Sequence, residues 1–389
     1  KRGMAFAVYG MAVVLAPAIG PTLGGWITDH YSWRWIFYVN IPFGILSLVL
    51  TQFMVKDPPW LEKSRAEAQD RGVDFLGLVL VALSLGTFQV VLDKGQRDDW
   101  FASPVITAFT AISVSSMIFF LIWDWNHKYP IVNLKLFRNR NYAACNALMF
   151  LLGVVLLGTT VLIPQYLQTL LGYTAQKAGE VLTPGGFTLL LLLPLVGRLV
   201  SKVDARWLIA LGFLLSGLTL IQLAHINVGI DFHTAVWWRI DQTASLAFLF
   251  VPINTISYIG IPQEENNQVS AMINLMRNIG SSVGISVFST MLARRQQVHQ
   301  TFLGANVASG NLPYEHQLRS LTNHFSGAGA SSSTAGQQAL AAIYQSVQRQ
   351  AAALAYVDVI WIFVIASFVG MLAVLFAKRN KPGQVAVGH

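Results

Sequence analysis

Ten runs of about 20 or more mostly apolar residues constrain this chain more than any other feature. They cover roughly 4–27, 33–54, 73–92, 102–123, 142–163, 178–199, 206–225, 234–261, 268–292 and 355–376. Each is long enough to cross a hydrocarbon core of ~30 Å as a helix. In lipid the backbone must satisfy its own hydrogen bonds, so runs of this length fold as helices and not as open sheet. Composition agrees: 54% of the 389 residues are hydrophobic and 11% are charged, against about 25% charged in soluble domains. The expected fold class is an all-α polytopic membrane protein with ten transmembrane helices.

Charge sets the orientation. If Lys1 lies in the cytoplasm, the loops on that side hold fifteen basic residues: Lys1, Arg2, Lys56, Lys63, Arg65, Arg71, Lys128, Lys135, Arg138, Arg140, Lys202, Arg206, Lys378, Arg379 and Lys381. The short loops on the other side then hold four, Arg34, Lys94, Arg97 and Lys177. Basic residues favour the cytoplasmic side, so residues 55–72 are expected inside and 293–354 outside. The net charge of +8 is spread over these short loops, which argues against a nucleic-acid partner. The sole cysteine, Cys145, lies in a span, so there is no disulfide framework and no cysteine zinc site. The sequence contains no GxxxxGK[ST] loop and no HExxH. An enzyme, an ATP-driven pump, a metal site and a bound cofactor are therefore not expected.

The first run holds GMAVVLAPAIGPTLGG, Gly10 to Gly25. Ala12, Ala16, Gly20 and Gly24 form a stripe at four-residue spacing, with Pro17 and Pro21 in a second stripe beside it. Small residues let helix backbones approach closely in lipid, and the prolines bend the helix. Run 178–199, with its Pro184-Gly185-Gly186, is the expected partner. The pattern GxxxxxAPxxGPxxGG resembles the antiporter motif of drug exporters in the major facilitator superfamily, on Gly10, Ala16, Pro17, Gly20, Pro21, Gly24 and Gly25. The stretch YSWRWIFYVNIPFGI (Tyr31 to Ile45) resembles the signature of the fourteen-helix drug:proton antiporter branch. LDKGQRDDWF (Leu92 to Phe101), PIVNLKLFRNRNY (Pro130 to Tyr142) and PQYLQTLLGYTAQKAG (Pro164 to Gly179) extend the likeness to its EmrB-type efflux subunits.

The resemblance implies a major facilitator fold and proton-driven export of lipophilic or amphipathic drugs by alternating access. It implies a bacterial inner-membrane location, with the proton gradient as energy source and no cofactor. An EmrA-like periplasmic adaptor and an outer-membrane channel are the implied partners. The antiporter motif lies on the family's fifth helix, and the chain begins Lys1-Arg2-Gly3 without an initiator Met. Ten of fourteen helices are then expected, without the first four. Those four would carry the acidic residue often assigned to proton coupling and a cytoplasmic loop motif. Residues 1–54 would be the last two helices of an amino-terminal bundle. Residues 55–125 would be a cytoplasmic loop and two extra helices. Residues 126–389 would be a carboxy-terminal six-helix bundle with a long periplasmic loop at 293–354. A partner-binding or inactive fragment of such a transporter is the alternative that the missing helices suggest.

Charges inside spans mark sites. Arg277 lies mid-run, and Ser270, Asn274, Asn278 and Ser281 share its helix face, as a substrate cavity needs. Gly280 and Gly284 beside them are expected to pack. Arg239 and Asp241 lie about two turns into their run, on different sides of the helix. Asp241 is expected to be the deepest carboxylate and the proton acceptor. Glu180 and Asp358 sit near outer span ends. The polar stretch from Arg294 to Leu354 reads as a solvated connector or docking surface, helical from Gln337 with Leu340, Ile343, Tyr344, Val347, Ala351 and Leu354 on one face.

Overall fold

The computed structural model describes residues 19–54, 74–127, 130–226, 229–262, 265–308 and 310–379, and no strand occurs among them. The helices are α1 (19–30), α2 (Trp35–Met54, broken for one residue at Val39), α3 (Phe75–Lys94) and α4 (Pro104–Asn126). Then follow α5 (Arg140–Leu171), α6 (Ala175–Val200), α7 (Ala205–Leu223) and α8 (Phe232–Ser257). The last are α9 (Asn266–Gly304), α10 (Leu312–Gly327) and α11 (Ser332–Ala373). Polar side chains at the run boundaries start them. Asp74, Asn139, Thr174 and Asp204 each accept a hydrogen bond from a first-turn amide of the helix that follows. Gly172 ends α5 in the left-handed region that glycine tolerates best, at φ 70°.

Among the described residues, seven helices are long and apolar enough to cross a membrane: α2, α3, α4, α5, α6, α7 and the run Ser332–Phe376. Of the other three expected runs, 4–27 lies mostly outside the described residues. Runs 234–261 and 268–292 are the helices α8 and α9, which are absent from those seven. They carry Arg239, Gln242, Thr243, Asn274, Arg277 and Asn278, and these polar side chains dilute the apolar signal.

Helices α5 to α9 and α11 form one bundle with a regular exchange of partners. α5 packs on α9 and α11, while α8 packs on α6 and α7. The first helix of each three-helix set (α5–α7 and α8, α9, α11) thus rests on the second and third helices of the other set, the interleaving expected of an internal repeat. One buried cluster, around Leu167, Leu220, Phe288, Tyr356 and Phe363, fills the outer half. A second, around Leu148, Val196, Phe213, Ile253 and Ile273, fills the inner half. Beside the bundle α3 and α4 pair with each other, tied where Ser84 Oγ donates to Ser113 O (3.0 Å) and Ser113 Oγ to Ser84 O (2.9 Å). Much of the apolar surface of α2 to α4 faces outward, including Phe43, Leu48, Val79 and Ile118, as lipid contact demands.

The expected loop at 293–354 is helical over most of its length. α9 continues without a break to Gly304, α10 occupies Leu312–Gly327, and α11 already begins at Ser332. The twelve residues after Leu292 add about 18 Å of helix at ~1.5 Å per residue. Polarity here reports solvation and not coil, and the alanines and glutamines are good helix formers. The buried face of α11 is also rotated from the expected one. Ala335, Ala339, Ile343 and Ala351 are buried, whereas Leu340, Tyr344 and Leu354 are exposed. α10 and α9 select the alanine-rich side because it lets them approach.

Candidate functional site

At the outer end of the molecule α1 meets the first turns of α6. A Cβ added at Gly25 would lie 2.5 Å from the Ala175 carbonyl oxygen, and one at Gly179 would press on the Pro21 carbonyl and lie 2.9 Å from Thr22 N. Backbone therefore touches backbone, with no room for a side chain. The hydroxyls of Thr22 and Thr183 hydrogen-bond each other across the contact. Asp29 Oδ2 accepts from the Gln176 amide at 2.7 Å. That amide lies in the first turn of α6, where N–H groups lack helical partners and the helix dipole favours an anion. Glu180 accepts from the Gln176 side chain at 3.0 Å.

The expected partner helix is the observed one, but among the described residues the contact stripe on α1 shifts. On α1 the contact uses Pro21 and Gly25, whereas a Cβ at Gly20 or Gly24 would meet nothing within 4 Å. Gly10, Ala12, Ala16 and Pro17 lie outside the described residues. On α6 the contact, among the described residues, runs from Ala175 to Thr183. Gly185 faces α8 instead, where an added Cβ would lie 2.7 Å from Thr243 Oγ1 and 2.9 Å from Arg239 Cγ. Two small-residue stripes run side by side on the α1 sequence, and spacing alone does not choose between them.

The two interior arginines occupy different environments. Arg239 is 8% exposed. Its Nη1 donates to Gln242 Oε1 (2.7 Å) and its Nη2 to Thr160 Oγ1 (3.2 Å), while Nε is buried without a hydrogen-bond partner. Gln242 in turn donates to Thr159. The guanidinium thus rests on neutral dipoles from α5 and α8, and among the described residues no carboxylate pairs with it. Arg277 is only partly buried, and its Cζ lies 5.6 Å from the Phe250 ring centroid, a cation–π contact between α9 and α8. Asn274 and Asn278 are exposed beside it. Gly280 and Gly284 pack, as expected: an added Cβ at either would strike the backbone of Phe150 or Val154 on α5.

Asp241 departs from its expected place. It is exposed, on the side of α8 away from buried Arg239. Two turns of depth along a helix do not decide which way a side chain points. Among the described residues the buried carboxylates are Asp124, 2% exposed, and Asp74, 9% exposed. Asp74 Oδ1 accepts from Gly77 N and from Trp123 Nε1, each at 2.9 Å. Asp124 Oδ1 accepts from Val132 N at 3.3 Å. Asp358 is bound on one oxygen by both Arg295 Nε and His299 Nε2, each at 2.7 Å.

A clasp at the inner end also escaped the expected set. The Asn133 backbone N–H donates to Gln268 Oε1 and its side-chain Nδ2 to Glu265 Oε1, both at 2.8 Å. Fully buried Asn141 donates to Ile256 O (2.7 Å) and accepts from Lys378 N (3.0 Å). The segment 130–142 thereby ties α4 and α5 to the inner ends of α8, α9 and α11. Three asparagines in NLKLFRNRN at a span boundary are the signal that marks it, since asparagine suits caps and turns.

Residues 1–285 match the model of the Major Facilitator Superfamily. The chain is 31% identical over 379 residues to the multidrug export protein EmrB of Escherichia coli K12, covering 97% of this chain and 71% of that protein. It is 35% identical over 334 residues to the fatty acid resistance protein FarB of Neisseria gonorrhoeae, covering 85% of this chain and 63% of that one. To the colistin resistance protein EmrB of Acinetobacter baumannii it is 28% identical over 382 residues, with coverage of 98% and 73%.

Proposed function

The chain belongs to the major facilitator superfamily, whose members are multi-pass membrane transporters and not enzymes, and from that premise we propose that it exports lipophilic and amphipathic drugs across the bacterial inner membrane. The energy source in this reading is the proton gradient, and the cycle is alternating access. Its relatives' names point to drug and fatty acid resistance. The observation that carries the mechanism is the α1–α6 contact. Two helices from different parts of the chain touch backbone to backbone, and the bonds beside that contact are polar. Polar bonds at a membrane boundary can be exchanged for bonds to water at small net cost. A seal of this kind can open and close, as a rocking transporter requires.

Within this reading Arg277, Asn274 and Asn278 line the substrate path, because they lie together on a face of α9 that the bundle leaves partly open. Arg239 braces α5 against α8, and the proton acceptor is exposed Asp241, the one carboxylate on α8. The extension built from the ends of α9 and α11 with α10 carries exposed Phe302, Leu312 and Tyr344. It is the surface for a periplasmic adaptor, beyond which an outer-membrane channel completes the route.

The test is accumulation of a lipophilic dye in cells producing the protein, with the pH gradient intact or collapsed by a protonophore. Lower accumulation that disappears with the gradient supports the reading. Accumulation equal to that of cells without the protein would overturn export, and export surviving the protonophore would overturn proton drive.

A further inference from the structure

We propose that the cavity where the membrane bundle meets the helical extension binds an amphipathic anion. The cavity has a volume of about 540 Å³ and lies between α5, α9 and α11, within the ~300–1,000 Å³ typical of small-molecule sites. Its polar wall carries Gln165, Gln296, Gln348 and Arg349, and its apolar floor is Leu170, Leu292 and the ring of Tyr356. No carboxylate lines it. Arg349 is its one cationic side chain, and among the described residues Arg349 forms no ion pair. The wall therefore offers amide donors and a full positive charge above an apolar base. That combination fits a molecule with an anionic head and an apolar body, and it gives a cationic amphiphile nothing to pair with.

The walls are fixed in place. Asp358 on α11 holds both Arg295 and His299 of α9, one helix face away from Gln296. The Tyr356 hydroxyl meets Thr169 Oγ1 of α5 at 3.3 Å, and its ring stands edge-on to Tyr166 at 5.1 Å between centroids. α11 is thus tied to both neighbours beside the cavity, so a ligand meets a formed site and loses little binding free energy to ordering it. The cavity opens at the level where α5 ends and the expected spans 268–292 and 355–376 meet water. An amphiphile there keeps its head hydrated and its body against the membrane edge.

The anion can be a free acyl carboxylate or the headgroup of an anionic lipid, and one assay separates them. Gln348→Cys supplies the reporter thiol, because native Cys145 is buried. The protein is reconstituted in phosphatidylcholine vesicles and treated with a membrane-impermeant thiol reagent. Decanoate should slow labelling at position 348, and decyltrimethylammonium should not. Ser332→Cys, exposed at the start of α11, should label at one rate throughout. Arg349→Ala should raise the decanoate concentration for half-protection roughly ten-fold, the scale of one charge-assisted hydrogen bond. Arg349→Lys should retain most of the protection, because the charge survives. Protection from phosphatidylglycerol in the vesicles, without decanoate, would assign the same cradle to a lipid headgroup. Equal protection by decanoate and the cation, protection unchanged in Arg349→Ala, or no protection by either anion would overturn the proposal. The readout is thiol reactivity, so it stands whether or not the protein exports drugs.

Discussion

The α5–α9 and α1–α6 contacts are both built on glycine, yet among the described residues they differ in what surrounds the glycines. Between α5 and α9, Gly153 faces the Arg277 carbonyl, Gly280 faces Phe150 and Gly284 faces Val154. The backbones interlock from both sides over two turns, and Ser281 Oγ adds a long bond of 3.4 Å to Gly153 O. Among the described residues of α1 and α6 one glycine from each helix makes the approach, joined by a pair of hydroxyls and the Asp29 carboxylate on an amide. Dispersion across a dry, interlocked seam has no replacement if the helices separate. Hydroxyl and carboxylate bonds at the rim do, because water can take them over. The first contact is suited to persist through every state of the protein and the second to form in only one.

Gly280→Leu tests the permanent seam and should have the largest effect. Its Cβ would already lie 2.9 Å from the Phe150 carbonyl carbon and closer still to the oxygen. A backbone obstacle cannot rotate away, so the cost should reach or exceed the ~1–3 kcal/mol of ordinary overpacking. Folded protein should largely vanish from a detergent size-exclusion profile. A mutant with a normal, monodisperse peak would show that this seam can part, and the contrast with α1–α6 would fail.

Gly25→Leu should act differently. The bundle core does not pass through this contact, so the protein should remain at normal level while its export activity is lost. The signature is access: Thr183→Cys should react with an impermeant reagent much faster in the Gly25→Leu background. Full export at normal level would mean that the α1–α6 contact does not seal the outer end.

The bundle was legible in the sequence because its cause is local. Runs of about 20 apolar residues fold as helices whatever lies beside them, and the helices start at polar boundary residues such as Asn139 and Thr174. Facing is not local. Whether Asp241 points in or out, or whether Gly20 or Gly25 meets α6, depends on a neighbour distant in sequence. In the extension the helix from Gln337 is legible, whereas the continuation to Gly304 and the helix Leu312–Gly327 are not, because polarity masks their helix signal. Arg239 was found as a charge inside a span, but Thr160, which accepts from it, and Thr159, which accepts from its partner Gln242, come from another helix. No periodicity in α8 could name them.

Asp29→Asn sharpens the polar half of the comparison. The asparagine oxygen can still accept from the Gln176 amide, so only the net charge at the α6 N-terminus is removed. Charge–dipole interactions of this kind contribute about 0.3–1 kcal/mol. Export should fall by a few-fold at most, with unchanged protein level, and the Thr183→Cys reporter should become modestly more accessible. Loss as complete as in Gly25→Leu would shift the weight of the seal from backbone packing to this one carboxylate.

Gly20→Leu should have the smallest effect, and it decides which α1 stripe matters. Gly20 and Gly25 differ by five positions, roughly 140° around a helix of 3.6 residues per turn, so they cannot share one contact. The structure puts Gly25 on α6 and leaves the space beside Gly20 open to 4 Å among the described residues. A leucine there adds apolar surface where lipid or solvent already lies, and substitutions of this kind usually stay within about 0.5 kcal/mol. Protein level, export and Thr183→Cys reactivity should all match the parent. If export is lost while the thiol at 183 stays protected, another helix lies on the Gly20 stripe, and α1 is gripped on two sides. If the thiol becomes exposed as well, the Gly20 stripe supports the same seal, and Pro21 with Gly25 marks only one edge of it.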